Sequence, residues 1–204
     1  MAALRHRLAI LDAAPLLIPK MDASEYSAVE TLRNGRRAEI RALKPADRAG
    51  LLEAVAHMSE EARYRRFFAP KRSFSEKEIE FYLNVDFVDH VALVAVVDET
   101  AGPVIAGGGR YIVSEPGRAE VAFFVDDAHQ GQGIASALMR HLVLIAREAG
   151  MKALIAEVLP ENAPMLRVFQ RSGLPMTTRR ETGVVHVTLD PSRREAGRAG
   201  VETK

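Results

Sequence analysis

Apolar positions along the chain fall into segments of two periods, and these predict most of its elements. In RAEIRAL (37–43) Ile40 sits among alternating polar neighbours, the period-two pattern of a half-buried strand. Pro45 suits the first turn of a helix, and Leu51, Leu52, Val55 and Met58 follow it at helical spacing. Ser59, with Glu60 and Glu61 behind it, starts a second short helix. In FSEKEI (74–79), Ser75 and Glu78 form a capping box between Phe74 and Ile79 at the staple positions, predicting a third helix to about Leu83. Next come VDHVALVAVV (88–97), VIAGGGRYIV (104–113) and RAEVAFFVD (118–126), parted by the turn-formers DETAGP and SEPG, which read as an antiparallel meander. Gly107, Gly108 and Gly109 inside the middle run predict a bulge or a close neighbour.

Further on, Ile134, Leu138, Leu142, Ile145 and Ala149 share one helical face, which Gly150 ends. KALIAEVL (152–159) reads as a strand buried on both sides for most of its length. Asn162 caps a helix with Pro164 in its first turn and Gly173 beyond its end. LPMTTRRETGVVHVTLD (174–190) predicts a final strand pair with Val185, Val187 and Leu189 on one face. Residues 1–30 show no sustained period and are expected to be an N-terminal extension, and 191–204, small and charged, a disordered tail. Between them, 31–190 is expected to be one domain of the α+β class, built on a mixed sheet.

Composition narrows the functions that this domain can serve. The 28 basic and 27 acidic residues leave a net charge of +1, too balanced for the electrostatic footprint of a nucleic-acid binder. Cysteine is absent, so disulfides, thiolate metal sites and a cysteine nucleophile are excluded. The histidines are scattered without ligand spacing, and no metal site is expected. Asp12 and Pro15 interrupt the apolar start that a signal peptide requires, so a cytoplasmic location with no membrane partner is expected.

One segment needs a chemical explanation: FFVDDAHQGQGIASALMRHL (123–142), with two glycines between an extended run and a helical one. A helix start leaves about four N–H groups unpaired and adds roughly half a positive charge. Gly131 and Gly133 clear side chains from those amides, and Gln132, Ile134 and Ala135 bring no acidic group. The turn contains no lysine or arginine, so amides alone are expected to hold an anion there. It is not a P-loop, because no GK[ST] follows, nor a dinucleotide fingerprint, because Ser136 takes the place of the third glycine. On the glycines alone, a tight strand-to-helix connection explains the turn equally well.

VDDAHQGQGIASALM resembles the acyl-CoA-binding motif of the GNAT superfamily of acyl-CoA-dependent N-acyltransferases, with Gln130, Gly133 and Ala135 at its [QR]xxGx[GA] positions. ENAPMLRVFQRSGL resembles the family's second motif through Asn162 and Gly173. The resemblance implies helices on both faces of a mostly antiparallel sheet whose central strands splay around acetyl-CoA. Phe124 and Val125 would face the pantetheine arm, and an N–H near Val125 the developing oxyanion. The pyrophosphate would lie on the amides of residues 131–136, with Asn162 at the far end of the arm.

An amine acceptor must lose a proton, at a cost of about 4–5 kcal/mol for a lysine at pH 7. The resemblance implies Glu120 as the base, in an AEVAFFV context, with Glu157 on the opposing strand as a second candidate. His129 is expected to be solvated beside its two aspartates. Phe169 stands where many family members carry a tyrosine acid, which raises the alternative of an acyl-CoA-binding module without turnover.

Ahead of the glycine turn, IRALKPADRAGLLEAVAHMSEEARYRRFF is similar to the GNAT domain of bacterial protein lysine acetyltransferases of the Pat type, at Arg41, Asp47, Ser59, Tyr64, Arg66 and Phe67 among others. This similarity implies a protein lysine as acceptor, with an acyl-CoA synthetase as a candidate partner and a small amine as the alternative. For ARYRRFFAP two readings stand: core aromatics with solvated arginines, or a gate over the acceptor cleft.

Overall fold

The computed structural model describes residues 21–69 and 73–193. The expected extension up to residue 20 and the expected tail from 194 lie outside the described residues.

An eight-stranded sheet runs through the fold: β1 (Ser27–Thr31), β2 (Arg37–Ala42), β3 (His90–Glu99), β4 (Gly102–Glu115), β5 (Arg118–Val125), β6 (Ala153–Val158), β7 (Met176–Glu181) and β8 (Val184–Leu189). Their spatial order is β1-β2-β3-β4-β5-β6-β8-β7, antiparallel throughout except between β5 and β6. The predicted meander is β3–β5. β1 lacks any apolar run, and the absence of periodicity in the first thirty residues concealed it.

Among the described residues the α-helices are α1 (Arg48–Ala56), α2 (Glu60–Phe67), α3 (Glu76–Leu83), α4 (Ile134–Glu148) and α5 (Ala163–Gln170). The N-caps of α2, α3 and α5 are those read from the sequence. Ser59 Oγ accepts from the Ala62 N–H at 3.2 Å, the Ser75–Glu78 capping box is complete, and Asn162 Oδ1 accepts from the Met165 N–H at 3.2 Å.

Alternation along β3 explains how both faces of the sheet are covered. Val91, Leu93, Ala95 and Val97 join the larger core beneath α4, with Ile134, Leu138, Leu142 and Ile145. Ala92 and Val94 face the other way and meet Leu51 and Ala54 of α1. At about 25 cal/mol per Å² of apolar surface removed from water, these two clusters supply the main drive for folding.

The expected irregularity in the glycine strand is present. Ala95 pairs with Gly107 and Val96 with Ile105, so Ala106 is an extra residue in β4. The three glycines also admit close neighbours. A Cβ on Gly108 would sit 2.5 Å from Phe124 Cε1, and one on Gly109 2.8 Å from Phe123 Cδ1. The aromatics of β5 therefore lie across bare backbone of β4.

Two polar contacts brace the helices on the second face of the sheet. Arg41 of β2 grips Asp47 through Nη1 at 2.7 Å and Nη2 at 2.8 Å, anchoring the entry to α1. Asp127, in the turn after β5, accepts from the Ser59 N–H at 3.0 Å and ties the start of α2 to the glycine segment.

Candidate active site

The parallel pairing of β5 with β6 covers three positions, Arg118 with Ala153, Ala119 with Leu154 and Glu120 with Ile155. Beyond them the strands part, although β5 continues to Val125 and β6 to Val158. A cleft of about 510 Å³ opens at this splay, between the start of α4, α5 and the end of α2. The inner edges of both strands there have no strand partner, a cost that a ligand lying along them would remove.

At one end of the cleft, Gly131 and Gly133 have φ of 76° and 96°, values that favour glycine. α4 begins directly after them without a side-chain cap. The first N–H taken up inside the helix is that of Ala137, which donates to the Gly133 carbonyl at 3.0 Å. Among the described residues, no backbone acceptor meets the N–H groups of Ile134, Ala135 and Ser136. These residues, with Gln130 and both glycines, line the cleft. Gln132 does not, because its Oε1 accepts from Asn34 Nδ2 at 2.8 Å and its Nε2 donates to the Ala128 carbonyl at 3.2 Å.

A cation also stands beside the turn. Arg33, in the β1–β2 hairpin, donates its N–H to the Gln132 carbonyl at 3.0 Å, and its side chain lines the cleft. Its Cγ lies 3.4 Å from where a Gly133 Cβ would be. The turn itself carries no cation, as its sequence shows, but the neighbouring hairpin brings one to its side. The signal that pointed to the hairpin was Asn34-Gly35, a strong two-residue turn pair.

Glu120 and Glu157 both line the cleft, one on each diverging strand. Register puts them on one face, since Glu120 pairs with Ile155 and Glu157 lies two residues further along β6. His186 Nδ1 of the neighbouring β8 lies 3.5 Å from Glu157 Oε1. Phe124, Val125 and Asn162 also line the cleft. Phe169 borders it from the core, 1 % exposed, with its ring edge against Phe123.

His129 is not solvated. It is buried at the cleft with Nδ1 3.0 Å from Asp126 Oδ2 and Nε2 3.1 Å from Glu99 Oε1, so the segment before the glycines is clamped on two sides. The ARYRRFFAP arginines are only partly solvated. Arg66 reaches into the cleft wall, where burial pulls its guanidinium below the ordinary value against the opposing influence of Tyr82 and Glu120. Phe67 and Phe68 line the same wall, Phe68 with φ of 56° at the end of α2. Among the described residues, no group of three or more histidine, aspartate or glutamate side chains is placed to hold a metal ion.

Residues 51–174 match the Acetyltransferase (GNAT) family. The chain belongs to this family. Its relatives include the acetyltransferase Pat of Mycolicibacterium smegmatis, 33% identical over 161 residues, a match that covers 78% of this chain and 47% of Pat. The chain thus spans about half the length of that relative. Acetyltransferase PA5475 of Pseudomonas aeruginosa is 32% identical over 138 residues, covering 67% of this chain and 74% of the relative. Among solved structures, the GNAT domain of S. lividans PAT has a TM-score of 0.72 at 38% identity, covering 80% of this chain and 96% of that one. YncA from Salmonella typhimurium, solved with its cofactor acetyl-CoA, shares the fold with a TM-score of 0.61 at 18% identity, covering 82% of this chain and 99% of that one. The GNAT fold expected from the sequence, with a mostly antiparallel sheet and a divergent central pair, is thereby established.

Proposed function

We propose that this GNAT acetyltransferase binds acetyl-CoA in the splay and transfers the acetyl group to an amine, the side-chain amine of a protein lysine. The observation that carries the reading is one continuous cleft that joins the uncapped start of α4 to Glu120. The residues fit the cosubstrate: free amides and Arg33 for the pyrophosphate, unpaired strand edges from Val121 and Ala156 onward for the pantetheine amides. Acetyl-CoA supplies an acyl group already activated as a thioester.

In this reading Glu120 takes the proton from the acceptor ammonium, directly or through one water, and Glu157 with His186 is the alternative relay. Phe169 has no proton to give. A thiol of pKa about 8.5 leaves as its anion without an acid, so turnover does not require the missing tyrosine. A cytoplasmic setting with ready acetyl-CoA belongs to the same reading.

The similarity to Pat supports a protein acceptor, with an acyl-CoA synthetase as the candidate partner. A second reading, a small amine bearing its own negative charge, is favoured by Arg66, which lines the cleft within the influence of Glu120. The test is thiol release from acetyl-CoA together with intact-mass analysis of candidate acceptor proteins. Acetylated protein and thiol in equal amounts are expected. CoA binding without thiol release under any acceptor would leave a binding module instead.

A further inference from the structure

Residues 32–36, which join β1 to β2, are largely exposed, yet they and the end of β1 are tied to residues 126–141, the segment that carries the glycine turn and the start of α4. Asn34 Nδ2 donates to Gln132 Oε1 at 2.8 Å. Arg36 Nη1 donates to Glu99 Oε1 at 2.8 Å, and the same oxygen lies 3.1 Å from Nε2 of His129, just before the turn. Arg36 also donates through Nη2 to the Asp98 carbonyl. At the end of β1, Glu30 accepts from Arg140 Nη2 at 2.8 Å, and its other oxygen lies 2.8 Å from His141 Nε2. Leu32, 5% exposed, anchors the loop in the core beneath α4.

Arg33 is the residue that these ties leave over. Its N–H is held by the Gln132 carbonyl at 3.0 Å, while its guanidinium has no ion pair or hydrogen bond among the described residues. The carboxylates of the network are committed, Glu30 to Arg140 and Glu99 to Arg36, so the Arg33 charge is not cancelled. Its side chain lies against Gly133, with Cγ 3.4 Å and Nε 3.6 Å from where a Cβ of that glycine would be. The free N–H groups of residues 134–136 begin at the next position. Ordering a surface arginine costs binding energy, and a stem already pinned on both sides lowers that cost.

We propose that Asn34 and Arg36 are positioning residues that hold the β1–β2 loop as one wall of the cosubstrate site, so that the Arg33 guanidinium donates to the diphosphate of acetyl-CoA beside the α4 amides. Gln132, expected from the sequence to touch the cosubstrate, instead carries the loop that brings the cation. This wall lies outside residues 51–174, the part of the chain that matches the family. The inference rests on acetyl-CoA binding in the splay and adds to it the residues that set its strength.

The experiment measures the affinity of the full chain for CoA and for dephospho-CoA, which lacks the 3′-phosphate, by calorimetry. Arg33→Met is expected to weaken both ligands alike, by about 10- to 150-fold, and Arg33→Lys by less, because it keeps the charge but not the planar donor. Asn34→Ser removes the bond to Gln132 and keeps an oxygen for the Arg36 N–H, which Asn34 Oδ1 accepts at 3.1 Å; it is expected to weaken CoA by about 2- to 10-fold. In the Arg33→Met background the same substitution is expected to have no effect, since it acts only through the arginine. An equal loss in both backgrounds, or none in either, overturns the positioning role. Unchanged CoA affinity in Arg33→Met overturns the arginine contact and leaves binding in the splay standing. A loss seen with CoA but not with dephospho-CoA overturns it too, by assigning Arg33 to the 3′-phosphate. Thermal melting without ligand reports folding of each variant, and Arg36→Met carries the same cycle if Asn34→Ser does not fold. Failure of wild type to bind CoA removes the parent reading, and this one with it.

Discussion

Gly131→Ala and Gly150→Ala together separate backbone strain from ligand contact. Gly131 has φ of 76° and Gly150, just after α4, has φ of 74°; in neither place would an added Cβ meet any atom within 4 Å. A left-handed alanine costs about 1–2 kcal/mol, partly offset by a stiffer unfolded chain, so both variants should lose about 1 kcal/mol. For a domain of this size that is a fall of roughly 2–4 °C in Tm, equal within error. Binding should divide them. Gly131 lines the cleft where the diphosphate is proposed to lie, and loss of one charge-assisted hydrogen bond there costs about 1.5–3 kcal/mol. Isothermal calorimetry with CoA should show Kd weakened by about 10- to 150-fold in Gly131→Ala and unchanged in Gly150→Ala. Equal affinity in the two variants would refute an anion site on the glycine turn.

Three further outcomes can be measured directly. Glu120→Gln is expected to lower kcat by about 10²- to 10⁴-fold with CoA affinity retained, and unchanged turnover would remove Glu120 from the mechanism. Gly107→Ala brings a Cβ to 2.8 Å from the Phe124 carbonyl oxygen and 3.1 Å from Ile134 Cγ2, so β5 must shift. Thermal melting should show a loss of about 1–3 kcal/mol, accompanied by weaker CoA binding because both neighbours line the cleft. His90, depressed from 6.5 to about 4 in the folded state, contributes stability that is complete above about pH 6.5 and is lost as pH falls through about 4. The contribution is at most about 3 kcal/mol, and urea midpoints of His90→Gln should fall less steeply than wild type across that window.

What was legible in the sequence was local. The capping box at Ser75, the stripe on α4 and the glycine turn each depend on residues within one or two turns, so a string of letters carries them. β1 was illegible because SAVET is an edge strand with alternating half-exposed positions, and its register with β2 comes from pairing alone. Arg33 reaches the site only through that pairing. The letters give no sign that Arg110 is buried, since buried arginines are rare and only the partners of β4 reveal which face it takes. The glycine turn, Glu120 and the aromatic end of α2 were therefore visible early, while the contributions of the β1–β2 hairpin and of β4 to the cleft walls were not.

Three paired positions, with the Lys152 and Ala153 N–H groups on the Gly117 carbonyl at their base, stitch one half of the sheet to the other between β5 and β6. Strands β6–β8 are otherwise kept in place by the apolar packing behind them, where Leu154, Val187 and Leu189 share a core with α4. A pantetheine strung along the seam would act as a missing plank in the floor, adding backbone hydrogen bonds that span it. Amide hydrogens of β6 should then exchange more slowly once CoA is bound, so that the cosubstrate doubles as mortar for the scaffold that holds it.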